Sequence, residues 1–305
     1  MKNFNYLAIS SLFIFGIIGI ACDKVDDPYA HLDDVISEYG DPAYNDTSWN
    51  DTAFSSRMIM IEDFTGHKCP NCPKATDIGN ILLGLYPENL IITALHNSNN
   101  FSEYDPPEFP GDFETETGEN LRSAFDLNSF PIGMINRHDF SGNGQRGVTI
   151  DLWEDYMNQL LADNSYMNPS IDLDYMMVYN TEIRLLRIFP KVTVQKNISG
   201  EVFLAAYVLE NGIVSPQEDN RVNPPIIEDY VHEHMLRAGF EQNDVGVSIF
   251  ETPNSGAIYQ NDSIATADII LEDEWIADSL DVVVYAYNWD TKEILQASKT
   301  KLIAE

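Results

Sequence analysis

Residues 57–74 read RMIMIEDFTGHKCPNCPK and contain the pattern that decides the fold. The apolar run at 58–61 is typical of a buried strand. Cys69 and Cys72 follow it, and apolar residues then recur at the three-to-four spacing of a helix. Because a helix N-terminus carries partial positive charge and favours a thiolate, this placement indicates a thiol–disulfide redox site. The predicted apolar face of the helix consists of Ala75, Ile78, Ile81, Leu82 and Leu85.

The cysteine pair has three possible roles. In thiol–disulfide exchange, Cys69 would be the attacking thiolate and Cys72 would resolve the mixed disulfide. In an oxidising compartment the pair could instead be an inert disulfide. A metal site would have to recruit His67, His96 or His138, which have no fixed ligand spacing. We therefore expect neither a metal nor a cofactor.

Length and charge limit the kind of protein. With 305 residues, the chain is long for a single core, so two domains are expected. The formal net charge of -32 argues against nucleic acid, which needs a basic surface, and against electrostatic attachment to anionic lipid. Three cysteines are too few for a disulfide-stapled scaffold.

The N-terminus has the pattern of an export signal. An apolar stretch at 6–20 follows Lys2 and is too short to span a membrane. The small residues before Cys22 resemble the lipobox of bacterial lipoproteins, which implies cleavage after residue 21 and acylation of Cys22. An ordinary signal peptide cut near Ala21 is the alternative. Residues 22–53 are acidic and lack apolar periodicity, so they predict a tether.

The first predicted domain comprises residues 54–165. An apolar strand at 90–95 follows the redox helix, which predicts a parallel βαβ unit. Helices are expected at 116–127 and 150–162, and a turn at 139–144. The Pro- and Gly-containing stretch 96–114 predicts either a lid near the site or a neutral insertion, and its aromatic residues either a peptide-binding rim or a plain loop.

This order of elements, with Pro131 before a short apolar strand, resembles the thioredoxin fold. The resemblance implies a cis proline at Pro131 that shapes the substrate groove. It also implies that Asp63, six residues before Cys69, is a buried acid that assists proton transfer to the thiols. Lys68 stands where thioredoxins usually carry tryptophan, and its charge could lower the thiol pKa or could simply be exposed.

The second predicted domain comprises residues 166–305. Strands are expected at 171–175, 191–195, 202–209, 264–271 and 282–287, separated by turn signals. Short strands at this spacing predict an antiparallel sandwich of immunoglobulin-like type. His232 and His234 would share one face of a strand, which is compatible with a metal site or with a structural role.

Several phrases are similar to motifs of the Bacteroidetes outer-membrane lipoproteins of the 28-kilodalton Omp type. They are EDFTG at 62–66, CPNCP at 69–73, YVHEHMLR at 230–237 and TKEILQA at 291–297. The resemblance implies an outer-membrane lipoprotein, periplasmic or surface-exposed, held by a lipid anchor. We expect an α/β thioredoxin-like domain followed by an all-β immunoglobulin-like sandwich.

The expected function is thiol–disulfide exchange on envelope proteins or peptides. The alternative is a non-catalytic surface binding protein for which the fold is only a scaffold. No nucleic-acid partner is expected.

Overall fold

The computed structural model describes residues 56–240, 246–260 and 267–302. The predicted signal peptide, Cys22 and the tether at 22–53 lie outside the described residues.

The described chain is a mixed α/β structure that is mostly sheet with few helices. Its helices are α1 (Cys72–Leu85), α2 (Glu116–Ala124), α3 (Trp153–Ala162) and α4 (Asn164–Met167). Its strands are β1 (Ile59–Phe64), β2 (Leu90–Leu95), β3 (Ile132–Ile135), β4 (Ile171–Asn180), β5 (Leu185–Val194), β6 (Val202–Glu210), β7 (Ile213–Val214), β8 (Gln217–Glu218), β9 (Ile226–Ile227), β10 (Val231–His232), β11 (Met235–Phe240), β12 (Val247–Phe250), β13 (Ile258–Gln260), β14 (Ala267–Ile270), β15 (Leu280–Asn288) and β16 (Ile294–Lys301).

The cysteine-containing region is built around β1. This strand pairs in parallel with β2 and antiparallel with β3, and α1 connects the first two. All six residues of β1 are buried, because both faces of the sheet are covered. Alternation along the strand directs Ile59, Ile61 and Asp63 towards α1, and the residues between them towards the opposite face.

The predicted apolar face of α1 is partly wrong. Ala75 and Leu82 are buried against β1, as expected. Ile81 and Leu85 are instead 62% and 57% exposed. The helix lies on the outer face of the sheet and contacts it along a narrow stripe, so the edges of its apolar surface remain in solvent.

One large sheet runs through both predicted domains. Its order is β16-β15-β6-β11-β2-β1-β3, with β12 also paired to β6. The junction is between β11 and β2, where the backbone N–H of Ala94 donates to the carbonyl of His234 at 2.8 Å. Strands from both sides of the predicted boundary at 165/166 are therefore hydrogen-bonded neighbours.

The two ends of this sheet approach each other. Ile294 N donates to the Asn136 carbonyl at 3.0 Å, and Met58 N donates to Gln296 Oε1 at 2.8 Å. The sheet thus curls around a core to which both halves of the chain contribute. That core includes Met60, Phe64, Leu95, Met134, Tyr207, Leu209, Val283 and Tyr285.

A second sheet covers the other face of β6 and β15. It consists of β13-β5-β14, with β4 paired to β5 along its full length. Alternate residues of β6, such as Leu204 and Ala206, pack against Ile188 and Val192 of β5. The C-terminal region is therefore made of two facing sheets. The predicted strands exist there, several of them longer than expected, although residues 264–266 of the strand predicted at 264–271 lie outside the described residues.

Candidate redox site and its buried acid

Cys69 and Cys72 form a disulfide in which the Cα atoms are 5.3 Å apart. Cys72 is the first residue of α1, and its backbone N–H donates to the Cys69 carbonyl at 3.1 Å. Pro73 fits the first turn of the helix, because backbone N–H groups there have no helical partner. Each cysteine is only 1% exposed, so the bond is buried as well as formed.

The loop before the disulfide depends on a glycine. A Cβ at Gly66 would lie 2.3 Å from Ser98 Oγ and 2.4 Å from the Phe101 carbonyl oxygen. The same carbonyl accepts the backbone N–H of Lys68 at 2.8 Å. The long stretch 96–114 therefore packs directly beside the redox loop.

Lys68 extends from this loop towards acids rather than towards the sulfurs. Its ammonium group lies 2.9 Å from Asp105 and 3.5 Å from Glu103. The hydrogen bond to Asp105 raises the pKa of Lys68. Two carboxylates thus offset the positive charge that could have stabilised a thiolate.

A strap from the C-terminal region, residues 217–221, covers the C-x-x-C loop. Its donors reach four carbonyl oxygens: Gln217 Nε2 binds those of Gly66 (3.3 Å) and Cys69 (3.2 Å), Glu218 N that of His67 (2.7 Å) and Asn220 N that of Pro70 (3.0 Å). Arg221 anchors the end of the strap through Asp77 on α1 at 2.6 Å. The strap thus lies directly on the loop that holds the buried disulfide.

Asp63 lies in β1 on the face towards α1. It is 3% exposed, and its Oδ1 atom has no hydrogen-bond partner. Burial without a compensating charge raises the pKa of Asp63 to about 8. The side chain is therefore a neutral acid at pH 7, able to release or accept a proton near that pH.

Pro131 begins the strand next to Asp63. The Phe130–Pro131 peptide bond is cis, as the resemblance to thioredoxin implied. β3 follows at once and pairs with β1 through Asp63 and Gly133. The sheet register thus brings Pro131 and Asp63 to neighbouring strands.

Three histidines that are far apart in sequence meet beside the redox loop. His67, His96 and His232 are all at least 96% buried, and the ring centroids of the last two are 5.2 Å apart. Burial lowers the pKa of His96 well below its usual value and that of His232 to about 4. Phe109 and Phe113 pack on His67, so these two aromatic residues fill the interior rather than form a rim.

The predicted metal alternatives receive no support from this cluster. His138 lies elsewhere, with its Nδ1 atom 2.9 Å from Glu293. Within the described ranges, no group of His, Cys, Asp and Glu side chains has the geometry to hold a metal ion. The prediction that His232 and His234 share a strand face is wrong, because His234 has a φ of 57° in the turn between β10 and β11.

A buried ion pair that the sequence patterns did not indicate lies on the other face of β1. The Arg137 guanidinium donates to both oxygens of Glu62, at 2.7 and 2.8 Å. Tyr207 also donates to Glu62 at 2.8 Å, and Tyr285 donates to Tyr207 at 2.9 Å. Burial alone would lower the pKa of Arg137, but the attraction of Glu62 holds it well above its usual value. The sequence signal for this ion pair was Glu62, an acid that directly follows the apolar run at 58–61.

Comparison with protein families identifies the class. A family model described as Outer membrane protein Omp28 matches residues 118–304, more than half of the chain. The protein is thus an outer membrane protein of the bacterial envelope, which confirms the expected location. More particularly, the chain belongs to the Omp28 family.

Solved structures give a fold likeness. HBP35 of Porphyromonas gingivalis aligns with a TM-score of 0.57 at 16% identity, covering 82% of this chain and 77% of that one. This likeness indicates a shared fold. A protein from Agrobacterium tumefaciens gives a TM-score of 0.44 at 11% identity, covering 84% of this chain and 100% of that one. A domain of the outer membrane lipoprotein Omp28 from Porphyromonas gingivalis gives 0.28 at 14%, covering 44% and 88%.

No curated protein matches the chain. Among the helices described above, none combines the length and the apolar character needed to cross a membrane.

Proposed function

We propose that this outer membrane protein carries a thiol–disulfide exchange site of thioredoxin type, closed by the strap in the conformation described. The observation that carries the proposal is a disulfide in the first turn of α1 on the face of the sheet that also holds an unpartnered, buried carboxyl group, Asp63. In this proposal residues 54–165 act as the thioredoxin-like unit. Residues 166–305 form an immunoglobulin-like sandwich, and a lipid on Cys22 supplies the anchor.

The reaction involves two displacements at sulfur. In the reduced protein, the Cys69 thiolate attacks a disulfide of an envelope protein or peptide, and one substrate sulfur leaves as a thiolate. The carboxylate form of Asp63, which is the minor form at pH 7 because its pKa is about 8, takes the proton of Cys72. The Cys72 thiolate then attacks Cys69 and releases the second substrate thiolate. Two electrons pass from the protein to the substrate, and the reverse sequence oxidises a substrate dithiol.

Pro131 would form the wall of the groove in which the substrate lies. It is half-buried at the start of β3, next to the strand that carries Asp63. Its role in the proposal is to position the substrate, since it has no group that exchanges protons or electrons.

Access to the sulfurs requires the strap to move. Releasing the four hydrogen bonds to the loop carbonyls alone would cost roughly 2–6 kcal/mol, at about 0.5–1.5 kcal/mol each. The open form would then be a minor population. A partner that binds the strap or the freed carbonyl groups would increase that population.

A second candidate function follows from the same burial. With each cysteine 1% exposed, the disulfide could serve only to tie the loop to α1. The protein would then be a non-catalytic binding scaffold at the outer membrane.

One experiment separates the two candidates. We would measure the reduction potential of the purified protein and its reduction of insulin, with Cys69→Ser as the control. A potential within about -270 to -120 mV, the span of catalytic dithiols, together with turnover that Cys69→Ser abolishes, supports exchange. A potential below about -300 mV without turnover, even in a variant with a weakened strap, supports the scaffold.

A further inference from the structure

A small cavity opens beside Asp63, and the strap contributes no residue to its lining. It has a volume of about 20 Å³ and lies between α1 and the turn that joins β10 to β11. Asn80 and Glu233 are exposed at its mouth, and His234 lines it further in. Asp63 is the most deeply buried of these polar residues. The remaining wall consists of Ala75, Thr76 and Gly79 of α1 and Ile92 and Ala94 of β2.

Two buried polar atoms of the cavity lining have no partner. They are Asp63 Oδ1 and His234 Nδ1. Buried polar atoms in folded proteins nearly always have a hydrogen-bond partner, either protein or ordered water. A cavity of this volume accommodates one water molecule, and a water needs two to four polar partners. The cavity therefore has both the space and the unpaired atoms that a bridging water requires.

The turn that carries His234 is held firmly against the sheet. His234 N donates to Asn211 Oδ1 at 3.0 Å, and its carbonyl accepts from Ala94 N at 2.8 Å. Glu233 accepts from Gly212 N at 3.1 Å. These contacts fix the backbone of the turn beside the cavity and leave His234 Nδ1 without a partner.

We propose that an ordered water in this cavity links Asp63 to His234 and, past Glu233, to solvent, and that this is the route by which Asp63 exchanges protons while the strap covers the cysteines. The inference rests on the proposed exchange function. When Asp63 takes the proton of Cys72, it passes a proton to the water, which releases one towards Glu233 and bulk solvent. His234 acts as a positioning residue that orients the water.

The charges around His234 agree with this role. Burial is the main cause that lowers the pKa of His234 to about 4; Lys299 on β16 contributes to the decrease, and Asp281 on β15 opposes it. His234 is therefore neutral at pH 7 and can hold the water through a ring nitrogen without adding a buried charge. Asp63 is the other titratable group that faces the water from inside, and Glu233 from outside.

The kinetic test uses the reduced full-length protein and dithiodipyridine. Cys69 attacks this disulfide and releases one pyridinethiolate, and the attack of Cys72 on the mixed disulfide releases a second. We expect His234→Leu to slow the second release about tenfold at pH 7 and to shift its pH midpoint, within the range of general-base effects. His234→Asn keeps a polar atom and tolerates positive φ, so it should restore the rate to within about threefold of wild type.

Two controls identify what has failed if the result differs. His138→Asn changes a histidine outside the cavity, and thermal unfolding of each variant reports on folding. An unchanged second release in His234→Leu overturns the water route alone. A wild-type protein that never releases the second equivalent, even with a weakened strap, overturns the exchange function and the route with it.

A crystal structure tests for the water directly and needs no measurement of activity. A high-resolution crystal structure should contain a water within hydrogen-bond distance of both Asp63 Oδ1 and His234 Nδ1. The His234→Leu variant should lack it. An empty cavity in the wild-type crystal overturns the inference.

Discussion

Glu62 and Asp63 are adjacent acids in one buried strand, yet their surroundings are opposite. Glu62 receives two hydrogen bonds from Arg137 and one from Tyr207. Asp63 Oδ1 receives none, and burial raises the pKa of Asp63 to about 8. A buried charge that is fully paired contributes to structure, whereas a buried acid without a partner stays neutral and becomes reactive near neutral pH.

The largest expected effect concerns the pH dependence of stability. The folded pKa of Asp63 lies above its ordinary value of 3.8, so its contribution to stability is fully present below pH 3.8 and is lost as the pH rises to about 8. Asp63→Asn should match wild type near pH 4. At pH 8 it should be more stable by several times the roughly 1.4 kcal/mol that one pKa unit represents.

Denaturant unfolding at a series of pH values measures this difference. Glu62→Gln is the matched control, because it removes a paired acid and should be destabilising across the same range. A constant difference between wild type and Asp63→Asn from pH 4 to pH 8 would show that Asp63 ionises normally.

The second effect tests the other half of the comparison. Arg137→Ala leaves Glu62 as an uncompensated buried charge, and we expect a loss of about 3–5 kcal/mol in the free energy of unfolding. Changing Glu62→Gln together with Arg137→Met should recover part of that loss. The interpretation of a structural ion pair would not survive a cost below about 1 kcal/mol.

The third effect concerns access to the disulfide. Changing Gln217→Ala and Asn220→Ala removes side-chain hydrogen bonds from the strap to the loop, including that from Asn220 Nδ2 to Asn71 Oδ1 at 2.6 Å. Reduction by a small dithiol should become about 10- to 2,000-fold faster, because three hydrogen bonds at about 0.5–1.5 kcal/mol each are lost. As a control, Gln145→Ala changes an exposed turn and should leave the reduction rate unchanged. Equal rates in wild type, the strap variant and Gln145→Ala would show that the strap does not control access to the disulfide.

The smallest effect is expected at the exposed edge of α1, and it is compared with a substitution in the buried stripe of the same helix. Ile81→Ala should change stability by no more than about 0.5 kcal/mol, because Ile81 is 62% exposed. Its neighbour Leu82 is 1% exposed, and Leu82→Ala should cost about 2–5 kcal/mol. Similar losses in both would mean that the helix packs as its apolar pattern alone suggested.

Sequence reasoning succeeded where the deciding information was local. The strand before the cysteines and the helix that begins at Cys72 follow from periodicity and from the spacing of a few residues, and the cis bond at Pro131 follows from the resemblance to the thioredoxin fold. It failed at Ile81 and at His234, because each depends on what packs against it from another part of the chain. Periodicity defines an apolar face but not how much of that face is covered.

The family motifs and local patterns of this chain determine an outer membrane protein with a C-x-x-C pair at a helix start. Only the tertiary structure decides that the cysteine pair is covered. Gln217, which donates to the Cys69 carbonyl, lies 148 residues further along the chain. The pairing of β11 with β2 brings these two regions together. The tertiary structure likewise decides that Glu62 meets Arg137 and Tyr207 while Asp63 faces a cavity. Such partners are brought together by strand register over the whole chain, which no short stretch of sequence contains.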